Sequence, residues 1–469
     1  MNHHTISLLA ATGLAGCLLG LYDLDDAELV VEGSANAYYG VSIDRFMGDN
    51  DFYSELAVGA PLADTVHIYW DVELNDGDGE LSLDESVTFE GETGGEAGWS
   101  LASGELVDST WFSDLVIGAP NEASGAGRVY VLSGGSLRGD IAAEGYTTFV
   151  GERGDYAGWA LAVGDINGDG RHDLVVGACG ADSFTGRVYG VYGPFDAGEH
   201  DLSDADVIID GTTEYNQFGC AVEVADLDQD GQDDIIVGEF HATAEMTGNT
   251  WVIYEHTVGT RAVDAMNHAV RLAGETHTGT LGWSLSAGGD VNGDGVDDLA
   301  IGAPGSHCPL LNQYSPAWDC DQHPSGVAYL VLGEAGVRLT DATISDVADA
   351  LRYETGTEGL GHSVSIEGDV NGDGYDDVLV GTHSGHGAML QYGSPALSHT
   401  STHSSKGFSL VMDSSDTDYA GQVVFMDHWD LDGDGADEMF IAATNQQFYL
   451  DGGQADAGKV YVPHGERDD

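Results

Sequence analysis

Short apolar runs alternate with Gly- and Asp-rich turns along this chain, and the same order of parts keeps returning. In Ala157 to Gly180 an Ala-Gly-Trp lead-in runs into an apolar segment. The acidic stretch Asp165-Ile-Asn167-Gly-Asp169-Gly-Arg171-His-Asp173 follows, and then the apolar run Leu174-Val-Val-Gly177. Apolar runs this short, bounded by Gly, Asn and Asp, predict strands, so the acidic stretch joins two of them. Aligned on the Gly-X-apolar lead-in, copies start at Gly40, Gly98, Gly158, Gly219, Gly282, Gly361 and Gly421, at intervals of 58, 60, 61, 63, 79 and 60 residues. That spacing defines seven repeats of one unit.

Each unit then supplies a second strand such as Asp114 to Pro120, a third such as Gly127 to Leu132, and a fourth such as Tyr146 to Val150. Four short antiparallel strands per unit describe a propeller blade, which buries both faces only when neighbours stack and close into a ring. One spare strand, Glu28 to Glu32, precedes the first lead-in, and the last unit stops after its third strand, Lys459 to Val462. The N-terminal strand is therefore expected to complete the seventh blade and remove two open edges. The predicted fold is all-β, a seven-bladed β-propeller of four-stranded antiparallel blades over residues 27–465, with 466–469 as a tail.

The acidic stretch carries the chemistry. Asp165, Asn167, Asp169 and Asp173 stand at loop positions 1, 3, 5 and 9, with Gly170 allowing the turn that folds them inward. Hard oxygen donors at this density suit Ca2+, and the carbonyl of Arg171 at position 7 is a further candidate ligand. The first half resembles an EF-hand loop, but no Glu stands at position 12 and the flanks read as strands. Four more loops repeat the pattern. They are Asp226, Asp228, Asp230, Gln232 and Asp234; Asp290, Asn292, Asp294, Val296 and Asp298; Asp369, Asn371, Asp373, Tyr375 and Asp377; and Asp430, Asp432, Asp434, Ala436 and Glu438. About five Ca2+ sites are expected, structural in role, because clustered carboxylates repel until an ion neutralises them. Met47 and Leu106 take position 1 in the first two units, so no tight site is expected there. Asp76 to Glu85 resembles part of an EF-hand loop but has Leu74 at its first position, and reads as a solvated turn.

Lead-ins such as Phe218-Gly219 and Leu281-Gly282, followed by Asp290 to Asp298 and Leu299-Ala-Ile-Gly-Ala-Pro304, resemble the FG-GAP repeat of the integrin α-chain β-propeller. The resemblance runs from about Ala27 to Gly465. It implies Ca2+ loops between the first two strands of some blades on the lower face, and interaction surfaces on the upper one.

Charge narrows the partners. Asp and Glu number 81 against 13 Lys and Arg, a net charge of −68 that five Ca2+ would reduce only to −58. The remainder implies a strongly solvated surface, and no basic patch is available for nucleic acid. At the N-terminus, Ile6 to Gly16 is apolar but too short to span a bilayer, and Leu14-Ala-Gly-Cys17 resembles a bacterial lipobox. Residues 1–16 then read as a signal peptide, Cys17 as the lipidation site and 17–26 as a linker. The basic residues usual upstream are missing. The expected location is exported, in a bacterial cell envelope at the outer membrane or cell surface, with the membrane reached through the lipid anchor alone.

Four further cysteines suggest two disulfides. Cys308 and Cys320 would staple the insertion Ser306 to Gly326, which lengthens the fifth unit by about 18 residues and should rise from the upper face. Cys179 replaces the Pro of a Gly-Ala-Pro turn and Cys220 follows the next lead-in, which leaves a cross-blade bond and two buried free thiols as equal alternatives. Trp99, Trp159 and Trp283 share the position after the lead-in Gly, and inter-blade packing is preferred to a sugar-stacking ring. His362, His383, His386, His399 and His403 lie in a Ser-, Thr- and Gly-rich region and read as a loop rather than a Zn2+ site. No nucleophile-elbow, zincin or P-loop motif is present. The leading expectation is a non-enzymatic, calcium-stabilised adhesion module that recognises a protein or glycan. The alternative is a polysaccharide or lipid hydrolase or lyase working at the channel mouth.

Overall fold

The computed structural model describes residues 21–463 apart from 24–28, 36, 49–53, 71–79, 82–86, 108–111, 135–145, 243–246, 256–257, 276–278, 306–325, 352–358, 383–386, 396, 398–407, 413–420, 431–434 and 445–456. Seven separate sheets follow one another along the chain, one per repeat. Blade 3 shows the plan. Its strands Ala160–Gly164, Asp173–Ala178, Arg187–Val191 and Val207–Asp210 pair antiparallel in sequence order, with Leu161 opposite Val176 and Val188 opposite Ile209. The second strand is buried along its whole length in all seven blades, because both of its faces meet protein. It therefore reads as a continuous apolar run instead of an alternation.

Apolar side chains interlock between blades. Val175, Val188 and Ile209 of blade 3 meet Val222, Ile235 and Val237 of blade 4, all nearly or fully buried. The repeated glycines fix how closely the blades approach. A Cβ at Gly177 in the second strand of blade 3 would lie 2.2 Å from the carbonyl oxygen of Gly219, the lead-in of blade 4. Gly59, Gly118, Gly238 and Gly302 each meet the next lead-in in the same way, at 2.1 to 2.2 Å. The lead-in Gly219 itself has φ +84°, a backbone conformation that few other residues tolerate.

The ring closes as the spare strand implied. Leu29–Ala35 pairs antiparallel with Ala457–Val462, placing Val31 opposite Val460, so the two ends of the chain share blade 7.

The expected four strands per blade need correction, since five of the seven sheets carry a fifth. The connection between the third and fourth strands of one blade adds a parallel strand to the outer edge of the blade before it. Gly198–Asp201 of blade 3 pairs with Thr147–Val150 of blade 2, and Gly259–Ala262 of blade 4 with Val207–Asp210. Leu21–Asp23 serves blade 6 in the same way, pairing with Phe408–Met412. These additions cover edges that would otherwise be open. Their sequence gives no strand signal, because Gly198-Glu-His-Asp201 is mostly exposed and polar.

Candidate metal centres and the aromatic upper mouth

The acidic loops lie where the first strand of each blade turns into the second. Their side chains mainly cap the loop's own backbone. In blade 3, Asp165 accepts the N–H groups of Asp169 (3.0 Å) and Gly170 (2.7 Å), and Asp169 accepts that of Arg171 (3.0 Å). Positions 1 and 5 act alike in blade 4, through Asp226 and Asp230 with Gln232, and in blade 5, through Asp290 and Asp294 with Val296. Blade 6 repeats the arrangement through Asp369 and Asp373 with Tyr375. In blade 7 Asp430 accepts from Gly435 (2.9 Å), while Asp432 and Asp434 lie outside the described residues. Asn167 and Asn371 at position 3 each accept the position 5 N–H at 2.9 Å.

Position 9 has a second role that spacing alone did not separate from metal binding. Glu55, Asp114, Asp173, Asp234, Asp298, Asp377 and Glu438 are all between 0% and 1% exposed, including the two blades with no carboxylate at position 1. Asp114 of blade 2 accepts from the N–H groups of Leu106 (2.7 Å), Val107 (2.7 Å) and Gly134 (2.9 Å). Asp298 braces blade 5 in the same manner through Val291 and Gly333, both at 2.9 Å. The position 9 acid thus holds the loop against the sheet whether or not the blade has the other donors.

Blade 4 tests the fit to a cation most directly. One carboxylate oxygen from each of Asp226, Asp228 and Asp234 lies within 4.8 Å of the others. Asp228 Oδ1 and Asp234 Oδ1 are buried without a hydrogen-bond partner. Burial pushes Asp234 up to about 9, and the charges of Asp228, Asp226 and Asp230 push the same way. Burial likewise raises Asp173 and Asp298 to about 7 and Asp377 to about 8. A dication among such oxygens would favour their ionised forms, and an all-oxygen donor set suits Ca2+. Blade 4 has Asp228 where blades 3, 5 and 6 have Asn at position 3. The extra charge meets Arg338 of blade 5, whose Nε donates to Asp228 Oδ2 (2.6 Å) and Nη2 to Asp230 Oδ2 (2.8 Å).

A carboxylate at position 8 joins the loops into a chain, and the sequence reading passed over it. Asp233 Oδ2 accepts the N–H of Asp165 in the preceding blade (2.7 Å). Asp297 does so for Asp226 (3.1 Å), Asp376 for Asp290 (2.7 Å) and Asp437 for Asp369 (2.8 Å). The signal was present as an acidic pair at positions 8 and 9 in blades 4 to 7. Blade 3 has His172 there, and His172 Nδ1 accepts the N–H of Glu105 (3.1 Å).

At the other end of the first strands, aromatic rings cross the blade boundaries. Trp99 and Trp159 have centroids 4.6 Å apart, Trp283 lies 4.9 Å from Phe240, and His362 stands 5.6 Å from Trp283. All three tryptophans are half-buried, so they pack between blades and keep part of each ring in solvent. Cys179 and Cys220 form the cross-blade disulfide, Cα to Cα 4.9 Å, and cluster with Phe240 against Trp159 and Trp283. His362 Nδ1 donates to the carbonyl of Gln422 (2.9 Å). Cys17, Cys308, Cys320, the 306–325 insertion, His383, His386, His399 and His403 lie outside the described residues.

Seven stacked sheets with this loop chemistry make the chain an integrin-α-like propeller built from FG-GAP repeats. Residues 157–191, 281–315 and 360–389 match the FG-GAP repeat. The chain is 30% identical to human (Homo sapiens) integrin alpha-IIb over 312 residues, 62% of this chain and 26% of that protein. It is 29% identical to integrin alpha-5 of Xenopus laevis over 229 residues, 47% of this chain and 21% of that one. It is also 36% identical over 156 residues to phosphatidylinositol-glycan-specific phospholipase D of Bos taurus, 31% of this chain and 18% of that protein. The chain thus spans between 18% and 26% of the length of these three relatives.

Proposed function

We propose that the protein is an extracellular binding module of the adhesion type, its ring held by Ca2+ in the loops of blades 3 to 7 and its opposite face turned to a protein or glycan partner. The observation that carries this reading is the run of half-buried rings, Trp99, Trp159, Trp283 and their neighbours, at the mouth away from the acidic loops. Partly exposed aromatic rings supply large contact area at low entropic cost, and they stack on sugars and side chains alike. Asp165, Asn167, Asp169 and Asp173, with their counterparts in the other loops, would hold the ions. An ion there would supply positive charge to buried carboxylates and so add to stability. The Leu14 to Cys17 tetrapeptide supports anchoring through a lipid on Cys17, a point that metabolic labelling with palmitate tests.

A binding screen against glycans and surface proteins, with and without Ca2+, tests the proposal. Binding lost in Trp99→Ala and Trp159→Ala supports it. The second reading, a hydrolase, draws on the similarity to the phospholipase. Turnover of a polysaccharide or phospholipid in the same screen would favour that reading over the first.

A further inference from the structure

The first strands of all seven blades enclose a central cavity of about 310 Å³, whose lining reaches Glu367 and Asp427 just before the acidic loops of blades 6 and 7. Its lining departs from the repeat. At the fourth position after the lead-in Gly, blades 2, 3, 5 and 6 place Ala102, Ala162, Ser286 and Ser365, whereas blades 1 and 4 place Asp44 and Glu223. Blades 1 and 4 lie on opposite sides of a seven-membered ring. Two positions further along, blades 6 and 7 add Glu367 and Asp427.

Arg45 is the one basic side chain in this lining, and it is already committed. Its Nη1 donates to Asp427 Oδ2 and to the carbonyl of His428, both at 3.0 Å, and its Nε to Ser54 Oγ at 2.9 Å. The guanidinium also lies over the Trp429 ring, 5.5 Å from its centroid. Asp427 is thereby neutralised. Among the described residues, no basic group forms an ion pair with Asp44, Glu223 or Glu367. Asp44 Oδ2 is enclosed and has no hydrogen-bond partner. Burial pushes Asp44 up to about 7, and Glu223 rises well above its ordinary value as burial adds to the nearby charges of Glu367 and Asp44. Three carboxylates that face one chamber without an ion-pair partner are costly to keep charged unless a cation joins them.

The channel acids do not converge on a single ion, since Asp44, Glu223 and Glu367 come from blades 1, 4 and 6. The channel acids are spread around the wall, with mostly polar surface and only the edges of buried leucines and valines such as Leu285 and Val364 between them. An elongated cation that alternates charge with methylene groups matches such a wall. We propose that the central channel binds a linear aliphatic di- or polyamine, with its ammonium groups paired to Asp44, Glu223 and Glu367 and its methylenes spanning the intervals between them.

Titration calorimetry of the full chain with spermidine, in saturating Ca2+ and at roughly 0.15 M salt to screen the acidic surface, tests this. One saturable site per chain is expected. Glu223→Gln and Glu367→Gln should each weaken it about tenfold or more, as losing a charge-assisted pair does. Glu214→Gln, on the exposed surface, should leave it unchanged. Both channel variants should melt no lower than the parent, since each replaces a buried acid with a neutral amide of the same shape, so weaker binding would not reflect unfolding. The absence of a saturable site, equal affinity in the Glu223 and Glu367 variants, or displacement of spermidine by Mg2+ at equal charge concentration would each overturn the proposal.

Discussion

The Cys179–Cys220 bond should be a major contributor to stability, and its size can be worked out. The two cysteines are 41 residues apart and join the turn after the second strand of blade 3 to the lead-in of blade 4. Closing a loop of that length in the unfolded chain removes entropy equivalent to about 4 kcal/mol at room temperature. Both cysteines are buried, at 2% and 8% exposure, and they pack with Phe240. Replacing them with Ala in the double variant Cys179→Ala/Cys220→Ala therefore also leaves small voids. Engineered and native bonds commonly deliver less than the entropic figure, so a loss of about 2–4 kcal/mol is expected. Urea denaturation of the parent, the reduced parent and the double variant measures it, with the thiols counted in each sample. The reduced parent and the variant should agree within about 1 kcal/mol, the voids accounting for the difference. Two free thiols at these positions in the native protein, or an unchanged midpoint after verified reduction, would refute the reasoning.

Asp114→Ala should destabilise the protein by at least about 3 kcal/mol, because it strands the N–H groups of Leu106, Val107 and Gly134. The loss should be the same with and without chelator, which urea curves recorded under both conditions would show. Asp233→Ala leaves the Asp165 N–H without its acceptor and should cost about 1–3 kcal/mol while weakening metal binding in blade 3, a neighbour the substitution does not alter. Equilibrium dialysis against labelled Ca2+ reads the second effect. Burial lowers the imidazole of His241 to about 4. Its unfolded form binds a proton near pH 6.5, so stability is lost as pH falls from about 6.5 towards 4. His241→Gln should flatten that part of a melting temperature against pH curve.

Most of the fold was legible because its causes are local. The Gly-X-apolar lead-in marks where one backbone must pass within van der Waals distance of the next, as Gly219 does against Gly177. The fully buried second strand, such as Asp173–Ala178, announces itself as an apolar run after an acid. The spare strand Leu29–Ala35 was readable because the last repeat lacked a fourth strand to match it. The fifth strands were not readable, since backbone pairing at a solvent-facing edge leaves no hydrophobic pattern in Gly198–Asp201. Loop spacing found the oxygen donors but could not divide their work. Position 9 acids serve the fold even in blades 1 and 2, and position 8 acids such as Asp233 reach into a different repeat. The channel acids Asp44 and Glu223 were visible only as breaks in a register of small residues, which had no meaning until the strands were placed around one axis.

The central claim is that Ca2+ in the acidic loops holds this ring together. The most direct test is thermal unfolding of the metal-loaded protein before and after complete removal of the metal, with bound ions counted by elemental analysis. The account predicts about five Ca2+ per chain and a large fall in melting temperature on removal, restored by adding Ca2+ back. An unchanged melting curve after verified removal would contradict it.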